Sequence, residues 1–391
     1  MKKINLILLS VLTILMLFSS CDTVQKESNR SGNTHPNYSL IDIPKGKELI
    51  SVTNQNSPDI TQQKIQKYSD LEVEAVIGKE TRSSDYTFGR ISSVLTDSMK
   101  RIYVLDTIRQ NIKVYSEKGK LLTILGGRGE GPGEFSGATS MAIYNDKWLL
   151  VGNRYRIEIF NIKAHIPHYD TTIMMQKNVR SLCVTSNKLF IHNIQFLNLS
   201  DSDNDRQPKF SIIHEYELPG FDYTTSFGKT YRSENPMLLE NISVGKIYCD
   251  NQSESLYFLF DRMPVMKSYD VNNGKLNWIN IFEDLNYSIM VELQLDGRSG
   301  IQNKVVGDYV DNIFSVISHD NNFMFVQFQR AFFDKNERNL GAQYFKTLSY
   351  LIRKEDGSGI FLGKEVLPII SKSVDSFYTG NHDRILLEIR R

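Results

Sequence analysis

Gly126-Gly127-Arg128-Gly129-Glu130-Gly131-Pro132-Gly133-Glu134-Phe135 is the stretch whose reading decides the fold. Five glycines and a proline in ten residues forbid helix and strand alike, so it is a tight connection between two β elements. The residues before it read as one sheet. Ile102–Asp106, Asn111–Tyr115 and Lys120–Leu125 are rich in Val, Ile, Leu and Tyr, and turn residues such as Glu117-Lys118-Gly119 separate them.

The same unit recurs to the end of the chain. Each copy begins with a strand, turns through Asp, Asn or Ser, and continues into a more apolar strand: Ile91–Leu95 with Ile102–Leu105, Thr139–Ile143 with Trp148–Val151, and Arg180–Val184 with Leu189–Ile191. Lys246–Cys249 with Leu256–Phe260, Phe314–Ile317 with Phe323–Phe328, and Val374–Tyr378 with Ile385–Ile389 complete six units. A spacing of roughly 40 to 70 residues suits four-stranded propeller blades with loop insertions. The polar inserts Ser200–Pro208 and Asp334–Asn339 lengthen two of them. The expected fold is therefore all-β, a six-bladed β-propeller of antiparallel blades over residues 45–391. The sixth unit supplies only two strands, and the N-terminal segment has what is missing: Leu71–Ile77 as fourth strand and Lys47–Val52 as third. Closing the ring this way removes exposed strand edges.

Ahead of the propeller, Lys2-Lys3 and the apolar run Ile4–Phe18 read as a secretory signal, residues 1–20, too short to span a membrane. The run ends in Leu17-Phe18-Ser19-Ser20-Cys21, which resembles the bacterial lipoprotein signal, in which the cysteine is lipidated and becomes the new N-terminus. Cys21 is the expected attachment point, and an ordinary cleaved signal peptide is the alternative. Residues 21–44 are polar and read as a flexible tether, whose first fifteen or so residues span on the order of 20 Å. Cell-envelope localisation follows, at the outer membrane or surface in preference to the inner membrane.

Without the signal, 44 basic residues face 45 acidic ones, and so balanced a chain has no general reason to bind nucleic acid. Cys183 and Cys249 then remain. One bridge between them is open, but buried free thiols are the favoured reading.

Arg101-Ile102-Tyr103-Val104-Leu105-Asp106, Ile112-Lys113-Val114-Tyr115, Gly119-Lys120-Leu121-Leu122 and the glycine run together resemble the six-bladed β-propeller lipoproteins of Gram-negative gut-type bacteria, related to the NHL-repeat and TolB-like propellers. The resemblance covers roughly residues 70–160 and implies fold and location. It supplies no catalytic residue.

Local chemistry is sparse. The glycine run could cradle an anion, but neither Lys-Ser nor Lys-Thr follows it and no helix pattern begins there. His165-Ile166-Pro167-His168 has metal-like spacing broken by proline, so a solvated loop is expected, with no metal and no cofactor. There is no Gly-x-Ser-x-Gly elbow and no His-Glu-x-x-His. Asp106, Asn153, Asn193 and Asp261 each follow a second strand and read as Asx-turn residues, with a role as acceptors on a binding face as the alternative.

The sharpest functional pattern is at the starts of the first strands, which line a propeller's channel. Arg90, Arg180, Lys246 and Lys372 stand there, and Asp375 is the one carboxylate close to any of them in sequence. Either these side chains are solvated or they form a positive mouth for a small anionic ligand, an acidic sugar or a peptide carboxylate. The expected function is a lipid-anchored extracytoplasmic module that binds such a ligand or an envelope protein. A lactonase-like or lyase propeller enzyme acting at the channel mouth is the runner-up.

Overall fold

A computed structural model describes residues 49–51, 72–77, 87–194, 211–230, 240–282, 285, 289–295, 298–304, 309–318, 320–332, 344–363, 366, 368–372, 377–380 and 387–390. The chain divides into two units, residues 1–35 and 36–391, and everything described below lies in the second.

The protein is a six-bladed β-propeller. Blade 1 is Ile91–Thr96, Ile102–Asp106, Asn111–Tyr115 and Leu121–Gly126, paired in that order. Blade 2 is Ala138–Tyr144, Trp148–Asn161 and His168–Val179. Its long middle stretch doubles back at Arg154-Tyr155, where Arg154 has φ 54° and the Ile162 amide donates to the Lys147 carbonyl at 2.8 Å, so it serves as two strands. Blade 3 is Ser181–Val184, Lys188–His192, Ser211–Glu217 and Asp222–Lys229. Gly245–Asp250, Ser255–Phe260, Val265–Asp270 and Leu276–Ile281 form blade 4, and Tyr309–Ser318, Phe323–Phe332, Tyr344–Arg353 and Gly359–Gly363 form blade 5. Between these two blades, Ile289–Leu295 and Arg298–Lys304 form a separate hairpin.

The second strand of a blade is covered by neighbouring sheets on both faces, so it reads as a continuous apolar run where a half-solvated strand would alternate. Every residue of Ile102–Asp106 and of Ser255–Phe260 is buried. Six hydrophobic clusters result among the described residues, and each joins two consecutive blades. Leu105 and Val114 of blade 1 meet Leu149 and Val151 of blade 2, for example, and Phe190 of blade 3 meets Phe258 of blade 4. The sixth cluster packs Tyr378 and Ile77 of blade 6 against Val94 and Val104 of blade 1, which makes the ring continuous.

Closure differs in detail from the expectation. Blade 6 takes three strands from the C-terminal part of the chain, Ile369–Lys372, Phe377–Gly380 and Leu387–Arg390, and only Val73–Ile77 from the N-terminal part, antiparallel on Leu387–Arg390. The unit read as Val374–Tyr378 with Ile385–Ile389 was thus one strand out of phase. Ile369-Ile370-Ser371-Lys372 is too short for its alternation to stand out in sequence. Leu49–Ser51 is not the third strand of this blade. It runs parallel along Leu276–Ile281 as a fifth strand on blade 4.

Polar stitches reinforce the apolar seams on the face where first strands turn into second strands. Arg101 is 5% exposed, pairs with Asp97 at 2.7 Å, and crosses to blade 2 to donate to the Ala164 carbonyl at 2.7 Å. Lys354 of blade 5 meets Asp250 of blade 4 at 2.5 Å, and the Trp278 indole N–H donates to the Lys354 carbonyl at 2.9 Å. Nearer the opposite face, across the seam between blades 3 and 4, the Lys267 Nζ donates to the Lys229 carbonyl at 2.9 Å, and burial brings its ammonium pKa down to about 8.

Cys183 and Cys249 are disulfide-bonded, which corrects the free-thiol reading. They lie on the inner strands of blades 3 and 4, which the ring sets side by side, 66 residues apart in sequence. The repeat puts both on first strands of consecutive units, but which residues of those strands face each other is set only by the fold. In the chain-entropy view a closure of this length contributes about 4 kcal/mol. A Cys183→Ala/Cys249→Ala variant is therefore expected to lose a comparable amount in urea unfolding monitored by tryptophan fluorescence, and the wild type to lose it in reductant. A variant with wild-type stability in oxidising buffer contradicts the bridge's role.

Candidate ligand site at the channel mouth

The mouth is the face on which first strands begin and blades connect. How the chain reaches it is fixed by a repeated device. Asp106, 0% exposed, accepts from the backbone amides of Gly89 at 2.6 Å and Arg90 at 3.0 Å, just ahead of the inner strand, and from those of Ile108 and Arg109 at 3.1 Å. Asn153 does the same one blade on, accepting from the amides of Ser136 and Gly137 at 3.0 Å each. These residues clasp the incoming chain to the second strand. Buried and saturated, they are not ligand acceptors, and of the two Asp106 also makes the expected Asx-turn bonds among the described residues.

The glycine run is a filled connection. Phe135, fully buried, plugs the seam between blades 1 and 2, edge-on to Phe160 at 5.9 Å. Gly126, at φ 77°, lies against that ring, where any Cβ would overlap it. Five of the run's amides, those of Gly129, Gly131, Gly133, Glu134 and Phe135, are spent within the protein. Gly131 donates to Glu134 Oε2 at 2.8 Å, Gly133 to Glu158 Oε2 at 3.1 Å, and Gly129 and Phe135 to backbone carbonyls. No phosphate cradle is left among them.

Three of the four expected cations stand at the mouth. Arg90 precedes Ile91 and is exposed, Arg180 precedes Ser181, and Lys246 is the second residue of its inner strand and is exposed. Lys372 does not join them. It ends Ile369–Lys372 and pairs with Phe377 beside the hairpin turn, on the opposite face of the disc. The displacement has the same cause as the phase error in blade 6. Asp375 lies outside the described residues.

The counter-charges come from other segments. Arg180 Nη2 pairs with Glu240 Oε1 at 3.2 Å, both side chains more than one-third exposed. Asp261 stands within the field of Lys246, Arg262 and Arg180: burial raises its carboxyl pKa, and Lys246, then Arg262, then Arg180 pull it back. Asp261 occupies the position of Asp106 and Asn153 in blade 4 but has no clasping bond among the described residues. Arg262 and Glu240 were not singled out from sequence. Arg262 was detectable as the neighbour of a recurrent turn residue, but only the folded chain brings Glu240 to Arg180. The mouth over blades 3 and 4 is thus a mixed cluster of three cations and two carboxylates.

Under it lies a pair of histidines. His192, 0% exposed, bonds the Ile212 carbonyl through Nδ1 at 2.8 Å, and its Nε2 has no partner among the described residues. Burial, reinforced by the Arg180 charge, brings its pKa down to about 4. His214, 2% exposed, bonds Ser226 Oγ through Nδ1 at 2.6 Å, and burial with the Lys177 and His192 charges brings its pKa to about 3. Both imidazoles are held neutral. His165 is exposed on the loop joining the last two strands of blade 2 and His168 is exposed at the start of the strand that follows, and no group of three or more His, Cys, Asp or Glu among the described residues is arranged to hold a metal ion.

Residues 47–220 match the DUF5128 family, described as a 6-bladed beta-propeller. That match ends inside blade 3, and the later blades are assigned from the strand pairing itself. Among solved structures, the chain is similar to a Bacteroides fragilis protein described as exported, at 13% identity, over 88% of this chain and 99% of that one, with a TM-score of 0.51. A member of the DUF4221 family from Bacteroides vulgatus matches at 9% identity, over 82% of this chain and 98% of that one, also with a TM-score of 0.51. At such identities the likeness is one of fold. Comparison with curated proteins finds no match.

Proposed function

We propose that this propeller is an exported, lipid-anchored binding module whose channel mouth takes a small anionic ligand, a sugar acid or a peptide carboxylate. The observation that carries the reading is the convergence of Arg180, Lys246 and Arg262 on the mouth of blades 3 and 4. The Arg180–Glu240 pair is exposed, and such pairs are worth only about 0 to 1 kcal/mol, so a ligand carboxylate exchanges for Glu240 at little cost. Arginine's planar fork suits a two-oxygen acceptor. Export is supported by the apolar run Ile4–Phe18 and by the description of the Bacteroides fragilis neighbour, and anchoring by Cys21 after Ser19-Ser20. A Cys21→Ser variant is expected to leave the membrane fraction.

The binding claim is tested by thermal shift with galacturonate and an acidic dipeptide, against galactose as the neutral control. A ligand at a hundred times its Kd stabilises by about 2.7 kcal/mol. Arg180→Ala/Lys246→Ala should weaken binding by at least about 100-fold, since it removes two bonds to a charged group, each worth about 1.5 to 3 kcal/mol. Asp261→Asn should tighten it, because it removes a negative charge from the mouth. Absence of any anion-specific shift, or a double variant that responds as the wild type does, overturns the proposal.

A further inference from the structure

The lysines buried in the fold, Lys113, Lys267 and Lys354, each reach an acceptor oxygen: the Thr87 carbonyl, the Lys229 carbonyl at 2.9 Å and Asp250 at 2.5 Å. Lys177 does not. Half-buried in the last strand of blade 2, it has neither a carboxylate nor a carbonyl partner among the described residues. Its Nζ lies 3.3 Å from Nδ1 of His214 and 5.9 Å from the centre of the Tyr223 ring, both on the outer two strands of blade 3.

His214 cannot satisfy an ammonium group there. Its Nδ1 is 2.6 Å from Ser226 Oγ, and the Tyr223 hydroxyl is 2.8 Å from that same oxygen. In one imidazole tautomer Nδ1 offers a single lone pair, which the closer Ser226 hydroxyl takes. In the other, Nδ1 carries the proton and turns an N–H towards the amine. In both cases the three ammonium protons face at most one shared acceptor. Hydration is lost without replacement, and burial lowers the Lys177 pKa. The neutral amine fits the place better, and its lone pair is a nucleophile.

The surroundings supply what an amine needs to condense with a carbonyl. Tyr223, Ser226 and His214 form one hydrogen-bonded chain that ends beside Nζ. Tyr223 is 55% exposed, so the chain opens to solvent at the rim of the disc. We infer that Lys177 is a reactive amine that condenses with a small aldehyde to form an imine, with the Ser226 and Tyr223 hydroxyls as proton donors. The Nζ lone pair forms a bond to the carbonyl carbon, and one N–H proton passes to the carbonyl oxygen, giving a carbinolamine. The C–O bond then breaks. Its hydroxyl leaves as water with a proton lent by the chain, and the remaining N–H proton restores the chain. Nothing is oxidised or reduced, and the step is independent of anion binding at the mouth.

The test is reductive labelling of the full chain at neutral pH with glycolaldehyde and cyanoborohydride under single-label conditions, each lysine's rate being read by peptide mass spectrometry. Lys118 and Lys163 are exposed, so access alone would label them ahead of Lys177. Lys177 should instead be labelled at least about threefold faster than either, as a desolvated amine is the more nucleophilic. A Tyr223→Phe/Ser226→Ala variant of unchanged melting temperature should lose that advantage towards the aldehyde. It should keep the advantage towards acetic anhydride, whose transfer to nitrogen expels no water. Labelling of Lys177 no faster than that of Lys118 and Lys163 would overturn the inference. An aldehyde advantage that the variant retains, or an equal loss towards both reagents, would overturn the role of the two hydroxyls.

Discussion

Removing Leu387–Arg390 is expected to abolish the folded protein, not to trim a tail. That strand is the link between Phe377–Gly380 and the N-terminal Val73–Ile77, and it pairs with both. Without it the blade 6 sheet loses its third strand and its grip on the fourth, and the cluster joining Ile77 and Tyr378 to Ile91, Val94 and Val104 loses its cover. Domains are stable by about 5 to 15 kcal/mol in total, less than the combined loss of two strands and one of six seams. The open ring would also present unpaired edges to neighbouring molecules. The truncated chain should elute as aggregate and lack a cooperative thermal transition. A monomer that melts near the wild-type temperature would show that the ring does not depend on this closure. Removing only residues 1–48 should leave the transition in place, because neither Val73–Ile77 nor Leu49–Ser51 is touched.

Acid should destabilise the protein well above the range in which carboxylates titrate. His192 and His214 have folded pKa values of about 4 and about 3, against an ordinary 6.5. Because the folded values are the lower ones, the unfolded chain binds more protons. The stabilisation is therefore fully present above pH 6.5 and is lost progressively as pH falls towards 4. Each histidine's slope starts at half of about 1.4 kcal/mol per pH unit at pH 6.5 and approaches the full value below it, so the pair removes about 3 kcal/mol between pH 6.5 and 5. Unfolded carboxylates titrate near 4, which leaves most of this interval to the histidines. Urea unfolding at pH 7, 6 and 5 should show this decline, and His192→Gln/His214→Gln should flatten it whatever its own starting stability. An unaltered slope in the double variant would remove these two residues as its source.

The acid-sensitive pair, the disulfide and the charged mouth all lie along one seam, that between blades 3 and 4. His192 packs edge-on to Phe258 at 4.8 Å across it, Cys183 bridges to Cys249, and Arg180 and Lys246 begin its two inner strands. Conditions that loosen this seam should therefore also weaken anion binding.

What the sequence by itself determined was the architecture and its period. Strands such as Ile102–Asp106 and Leu256–Phe260 are apolar throughout because sheets cover both faces, and turn residues recur between them, so blade number and most inner hairpins were legible from local pattern. So was Val73–Ile77 as the closing strand, from its likeness to the end of blade 1. Blade 6 was misphased because Ile369–Lys372 and Phe377–Gly380 are four residues each, too short for periodicity to register. That error carried Lys372 to the wrong face of the disc. Tertiary structure alone decided the rest, because a propeller makes its site from segments far apart in sequence. It brought Glu240 to Arg180, Asp261 to Lys246, Cys183 to Cys249 and Lys354 to Asp250, each pairing set by the ring's geometry and not by any motif. It also decided the fate of the glycine run, whose composition allows an anion cradle, but five of whose amides the folded chain spends on Glu134, Glu158 and its own carbonyls.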